Sequence, residues 1–225
     1  MRLQAAVFDM DGTLLDSMPV WDHLGPKALR AMGIEPEPEL NEKLKIMTFR
    51  DGAQYCKDRY RMTQSVDEIA ALTIAPVEDY YFHAARAKPG VLPFLSMLKM
   101  QGVGMYVATN TDRYLAETGL RQAGLEPYFK GLITCAEAGA GKADSPEIFL
   151  RAMRRLRGNL QNTVIFEDAL HAIRTAKAAG FRVCAVYDPS AEADQEEIRR
   201  LADTYIRSYE ELLETVENRQ KGGAP

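Results

Sequence analysis

The sequence predicts an α/β fold: a parallel sheet flanked by helices, with a small all-helical domain inserted after the first strand. Three observations predict it. Short apolar runs recur along the chain, each followed by a polar or glycine-containing turn and then a segment of helical period. Residues 16–86 depart from that alternation and show helical periodicity alone. Acidic, hydroxyl and amide residues stand directly after several of the strand-like runs.

The first run, Leu3 to Phe8, is apolar at alternate and intervening positions, as a strand covered on both faces should be. The helical stretch after it is too long for an ordinary crossover, which needs only about a dozen residues, so residues 16–86 read as an inserted domain. The core is then 1–15 and 87–225. Within the insertion, Ser65-Val66-Asp67-Glu68 is a capping-box pattern, and Thr48 is a candidate cap for the preceding helix. Leu92, Leu95 and Leu98 mark a helix leading to the second strand, Val103 to Ala108. Leu115, Leu120 and Ala123 mark the next helix, before a strand at Gly131 to Thr134. Ser145 as N-cap with Pro146 in the first helical position opens a helix carrying Ile148, Phe149, Ala152 and Leu156. Thr163 to Phe166 follows as a strand, then a helix through Ile173, Ala176 and Ala179 that Gly180 stops. Arg182 to Val186 and a weaker Thr204 to Ile206 complete the strands, and residues 220–225 form a frayed tail.

Composition narrows the function. The chain has 225 residues, 46% hydrophobic and 27% charged, which excludes a disordered or collagen-like chain. Lys and Arg total 28 against 32 Asp and Glu, a net charge of −4 with no basic block, so neither nucleic acid nor an anionic membrane is an expected partner. Cys56, Cys135 and Cys184 are widely spaced and odd in number, as in a reducing compartment. No signal-peptide stretch develops before Asp9, and no run approaches the ~18 apolar residues of a membrane span. A cytoplasmic protein is the expectation, and nothing demands more than a monomer. His23, His83 and His171 are too scattered for a metal site.

The chemistry sits where strands end. Asp9 and Asp11 follow the first strand, Thr109 and Asn110 the second, and Glu167 and Asp168 the run from Thr163 to Phe166. Ligands of open parallel sheets bind outside the carboxyl ends of the strands, so these separate regions should converge. Four carboxylates gathered there repel one another and resist desolvation. A hard divalent ion, Mg2+ above all, resolves this with oxygen ligands and leaves room for a phosphate. Lys142, after Gly139-Ala140-Gly141, adds a fixed positive charge.

The segment from Asp9 to Ser17, Asp9-Met10-Asp11-Gly12-Thr13 at its head, resembles the D-x-D-G-T signature of the haloacid dehalogenase-like superfamily of phosphohydrolases. Thr109, Lys142 and the Glu167-Asp168 pair stand in order as the second, third and fourth motifs, so the resemblance covers nearly the whole chain. It implies a Rossmann-like core with a helical cap, in the type close to β-phosphoglucomutase-like phosphatases. Asp9 is then the nucleophile that forms an aspartyl-phosphate, and Asp11 the general acid and base. Thr109, Asn110 and Lys142 bind the phosphoryl group. Asp9, Asp168 and the backbone carbonyl of Asp11 hold Mg2+, with Glu167 further out. The substrate implied is a small phosphorylated metabolite, a sugar or polyol phosphate.

Specificity is expected from the cap. Lys45, Arg50 and Lys57 are its candidate cations, Arg50 foremost, and Trp21 either fills the cap core or faces substrate. The sugar phosphate mutases of this architecture carry a histidine where this chain has Trp21, which favours net hydrolysis over isomerisation. A phosphoreceiver signalling module is the alternative of another class. Such modules place the acceptor Asp before the Thr and Lys, whereas here the late acidic pair follows both.

Overall fold

The computed structural model describes residues 3–44, 47 and 49–221. The chain divides into two compact units, Met1–Ser17 with Ala85–Pro225, and Met18–Ala84.

The first strand, β1 (Ala5–Phe8), is buried along its whole length. It starts two residues inside the apolar run, because the Gln4 and Ala5 N–H groups both donate to the Asn162 carbonyl at the foot of the sheet. The helical unit then runs through α1 (Met18–Trp21), α2 (Leu24–Ala31), α3 (Leu40–Leu44), α4 (Phe49–Tyr60) and α5 (Val66–Asp79), and closes in a π-helical turn, Tyr80–Ala84. Leu29, Leu40, Ala53, Cys56, Met62 and Ile69 form its core. The capping box at α5 is formed: the Glu68 N–H donates to Ser65 Oγ at 3.2 Å, and the Ser65 N–H to Glu68 Oε2 at 2.7 Å. Thr48 lies outside the described residues.

The rest of the sheet unit alternates as expected: α6 (Val91–Met100), β2 (Gly104–Thr109), α7 (Arg113–Gln122), β3 (Leu132–Thr134), α8 (Cys135–Ala138), α9 (Glu147–Arg155), β4 (Thr163–Glu167), α10 (Leu170–Ala178), β5 (Arg182–Val186), α11 (Gln195–Leu201), β6 (Thr204–Ile206) and α12 (Glu210–Lys221). The strand order is β3-β2-β1-β4-β5-β6, and every pair is parallel. This is a Rossmann-like α/β fold. One face of the sheet packs Val7, Ile165 and Val183 against Phe149, Ile173 and Ile198 of α9, α10 and α11. On the other, Phe8 stacks on Phe166 at 4.4 Å between ring centres, and Phe166 meets Phe94 of α6 and Tyr209 ahead of α12. Both faces of the central strands are therefore dry, which is why their sequence runs are continuously apolar.

The start of α9 also differs from the sequence reading. α9 begins at Glu147 with Pro146 in the capping position, one residue late, because a turn closes back on Gly141. The Asp144 and Ser145 N–H groups both donate to the Gly141 carbonyl, and Ser145 Oγ then accepts the Glu147 N–H at 3.2 Å. Gly180 ends the α10 segment as expected, with φ 86°. The three cysteines are buried and free, and among the described residues no helix is long and apolar enough to cross a membrane.

Candidate active site

Strand order reverses at β1: the chain adds β2 and β3 on one side of it and β4, β5 and β6 on the other. The crevice at such a switch point, at the carboxyl ends of the strands, is where ligands of this sheet type bind. Phe8 pairs with Phe166 in register, and the Asp9 N–H donates to the Phe166 carbonyl at 2.9 Å. That bond sets Asp9 beside Glu167 and Asp168. Carboxylate oxygens of Asp9, Glu167 and Asp168 lie within 4.8 Å of one another, and all three residues are buried.

Lys142 reaches this group from the turn between α8 and α9. Its ammonium donates to Asp9 Oδ1 at 2.5 Å and Glu167 Oε2 at 3.2 Å, and the side chain is 4% exposed. Burial opposes the ammonium, but the charges of Asp9 and Glu167 outweigh it and raise its pKa. Thr13 Oγ1 donates to Asp168 Oδ1 at 2.7 Å. Even so, burial and then the Asp9 charge push Asp168 up to about 8, with the Thr13 bond pulling the other way. Burial and the Asp9 charge likewise raise Glu167 well above the ordinary carboxylate range, against the pull of Lys142.

Of the three buried carboxylates, Asp9 and Glu167 pair with the Lys142 ammonium, and burial and the Asp9 charge make Glu167 and Asp168 ionise reluctantly. The site is short of positive charge, and its donors are hard oxygens. Both properties suit a small divalent cation such as Mg2+.

Asp11 stands apart from this trio. Its Oδ1 accepts from Ser17 Oγ and its Oδ2 from Thr111 Oγ1, both at 2.5 Å. Gly12 beside it has φ 76°, a left-handed conformation open to glycine at little cost. Thr109 closes β2, buried, and its Oγ1 accepts the Thr111 N–H at 3.0 Å, while Asn110 between them is exposed. The stretch from Thr109 to Asp112 does not cap α7 through a side chain: Asp112 takes the capping position without such a bond. Thr13, Ser17 and Thr111 are the site groups that sequence reasoning passed over. Position inside or next to a motif is their signal, since the contacts themselves depend on loop conformation.

In the helical unit, Arg50 is exposed on α4 and pairs with Asp67. Lys57 donates to the carbonyls of Met62 and Gln64, and Lys45 lies outside the described residues. Trp21 Nε1 donates to the Tyr81 hydroxyl at 3.1 Å, and the rings meet edge to face. His23, His83 and His171 are exposed.

A sequence profile described as haloacid dehalogenase-like hydrolase matches residues 3–180. The chain belongs to the haloacid dehalogenase-like hydrolase family. Among curated relatives of this hydrolase, the phosphorylated carbohydrates phosphatase of Thermotoga maritima is 26% identical over 178 residues, 79% of this chain and 82% of that protein. Hexitol phosphatase B of Escherichia coli is 26% identical over 217 residues, covering 94% and 95%. Among solved structures, CbbY from Rhodobacter sphaeroides has a TM-score of 0.72 at 21% identity, covering 92% of this chain and 95% of that one. β-Phosphoglucomutase from Clostridium difficile has a TM-score of 0.71 at 19% identity, covering 98% of each. At such identities the structural likeness shows the shared fold.

Proposed function

We propose that this hydrolase is a Mg2+-dependent phosphatase of small phosphate monoesters, sugar or polyol phosphates, working through an aspartyl-phosphate on Asp9. The observation that carries the reading is the buried Asp9–Lys142–Glu167 contact with Asp168 beside it, at the switch point of the sheet. The names of the carbohydrate and hexitol phosphatases support the substrate class.

Asp9 and Asp168, with the Asp11 backbone carbonyl, would hold Mg2+, and Glu167 would sit behind them. Bound there, the ion supplies positive charge to the carboxylates and to the phosphoryl oxygens. The remaining steps belong to the chain's own groups. The Lys142 ammonium donates to Asp9 Oδ1 and orients that carboxylate for attack. An Asp9 carboxylate oxygen bonds to phosphorus as the ester P–O bond breaks, and the departing alkoxide takes the Asp11 proton. Ionised Asp11 then removes a proton from water, whose oxygen attacks phosphorus. The bond to Asp9 breaks, inorganic phosphate leaves, and both residues return to their starting states. The Thr109 hydroxyl, Asn110 and the Lys142 ammonium stabilise charge on the transferring oxygens. Arg50 is proposed as a determinant of substrate preference.

Replacing Asp9 with Asn tests the mechanism. The variant is expected to keep the circular-dichroism spectrum and to lose turnover on every ester of a phosphorylated-metabolite panel, and chelation of the metal should silence the unaltered protein. Turnover that survives either treatment overturns the mechanism. Release of free phosphate without isomerised product supports a phosphatase, and isomerised product contradicts it. Arg50→Ala should change the ranking of the panel more than the rate on an aryl phosphate, and a uniform loss would remove Arg50 from the account.

A further inference from the structure

We infer that Lys88 is a positioning residue for the acid/base step: its ammonium fixes the Gly12 carbonyl and so the turn that presents Asp11 and Thr13. This rests on the assignment of Asp11 as acid and base. Lys88 lies just past the point where the chain re-enters the sheet unit, and its N–H donates to the Leu14 carbonyl at 2.9 Å. A lysine ammonium has three protons to donate. Here all three have acceptors on the protein: the Gly12 carbonyl at 2.5 Å, the Tyr187 carbonyl at 2.8 Å and Asp188 Oδ2 at 2.8 Å. The Lys88 side chain is 12% exposed and that of Asp188 2%. Asp188 is itself anchored, since its Oδ1 accepts from the N–H and the hydroxyl of Ser190 at 2.9 and 2.6 Å. One partly buried cation therefore ties the turn after β1 to the segment after β5.

The Gly12 carbonyl is the part of that turn the other bonds leave unset. The Met10 carbonyl accepts from the Leu14 and Leu15 N–H groups, and the Gly12 N–H donates to the Leu15 carbonyl. Those bonds close the loop but do not aim the peptide plane between Gly12 and Thr13. Gly12 has φ 76° and no Cβ to resist rotation of that plane. Asp11 stands on one side of it, and on the other stands Thr13, whose hydroxyl holds Asp168. Fixing the plane thus fixes Asp11 with respect to Asp168. An ion pair that merely stabilised the fold would leave the balance between substrates untouched. One that aims the general acid matters most where the leaving group needs a proton.

The test compares p-nitrophenyl phosphate, whose leaving group departs without protonation, with an alkyl ester, glycerol 3-phosphate, under saturating Mg2+. The variants are Lys88→Arg, Asp188→Asn and the double variant K88M/D188N, which leaves no buried charge without a partner. The double variant should lose about tenfold or more in kcat/KM on the alkyl ester beyond its loss on the aryl ester, because kcat/KM reports the transfer from the ester and not the hydrolysis of the phosphoenzyme that both esters share. D188N, whose Lys88 keeps both carbonyls, should lose less, and K88R should keep part of the alkyl-to-aryl ratio. Thermal unfolding shows that each variant is folded at the assay temperature. Equal losses on the two esters overturn the inference. Asp11→Asn serves as the reference: if it selectively impairs the alkyl ester and the Lys88 variants do not, the Lys88 role alone is wrong. If D11N shows no selectivity in kcat/KM, the acid/base assignment falls and the Lys88 role with it.

Discussion

Lys142 shows how much one side chain carries. Among the described residues it is the cation that donates to both Asp9 and Glu167, and all three are buried. Lys142→Met should therefore destabilise the protein by about 3–5 kcal/mol, the cost of leaving buried charge without its partner. Added Mg2+ should recover part of that loss in a thermal melt without restoring turnover. An unchanged melting temperature would show that the lysine does not balance the carboxylates. Thr111 makes a subtler case, donating to one oxygen of Asp11 while Ser17 holds the other. Thr111→Val should keep the fold and lower kcat roughly tenfold, the scale of one hydrogen bond to a charged group. A kcat equal to that of the unaltered protein would make the contact incidental.

At the scale of elements, the strands were legible because burial on both faces forces continuous apolar runs, and β1 to β6 fall where those runs are. The capping box at Ser65 was equally legible, since its chemistry is local and depends on a spacing of three. Ser65→Ala should cost the helical unit about 1 kcal/mol, read as a lower denaturant midpoint. The start of α9 was less legible, because the turn that carries Lys142 borrows Ser145. Convergence at the switch point followed from the positions of Asp9, Thr109 and the Glu167-Asp168 pair. What stayed hidden was how the loops are pinned: the hydroxyls on Asp11, and Lys88 with Asp188, which are 100 residues apart in sequence. No periodicity or spacing announces a contact that exists only after two loops have folded against each other.

For the whole molecule, the acidic trio couples stability to pH. Asp168 is pushed up to about 8 by burial and the Asp9 charge. The folded, metal-free protein thus holds a proton that the unfolded chain releases near 4. That contribution to stability is complete below pH ~4 and is lost as pH rises through about 8. Mg2+ needs the ionised form, so the rise in melting temperature it brings should be larger at about pH 8 than at about pH 5. Equal rises would mean that Asp168 does not lose a proton to solvent when the metal binds. The central claim, a transient ester on Asp9, is tested most directly in the Asp11→Asn variant. It is mixed with p-nitrophenyl phosphate and Mg2+ and quenched in acid, and its peptides are mapped by mass spectrometry. The phosphoryl group should be found on Asp9, because the first step needs no proton from residue 11 and the second lacks its base. A phosphoryl group on another residue would contradict it, as would steady phosphate release with Asp9 unmodified throughout.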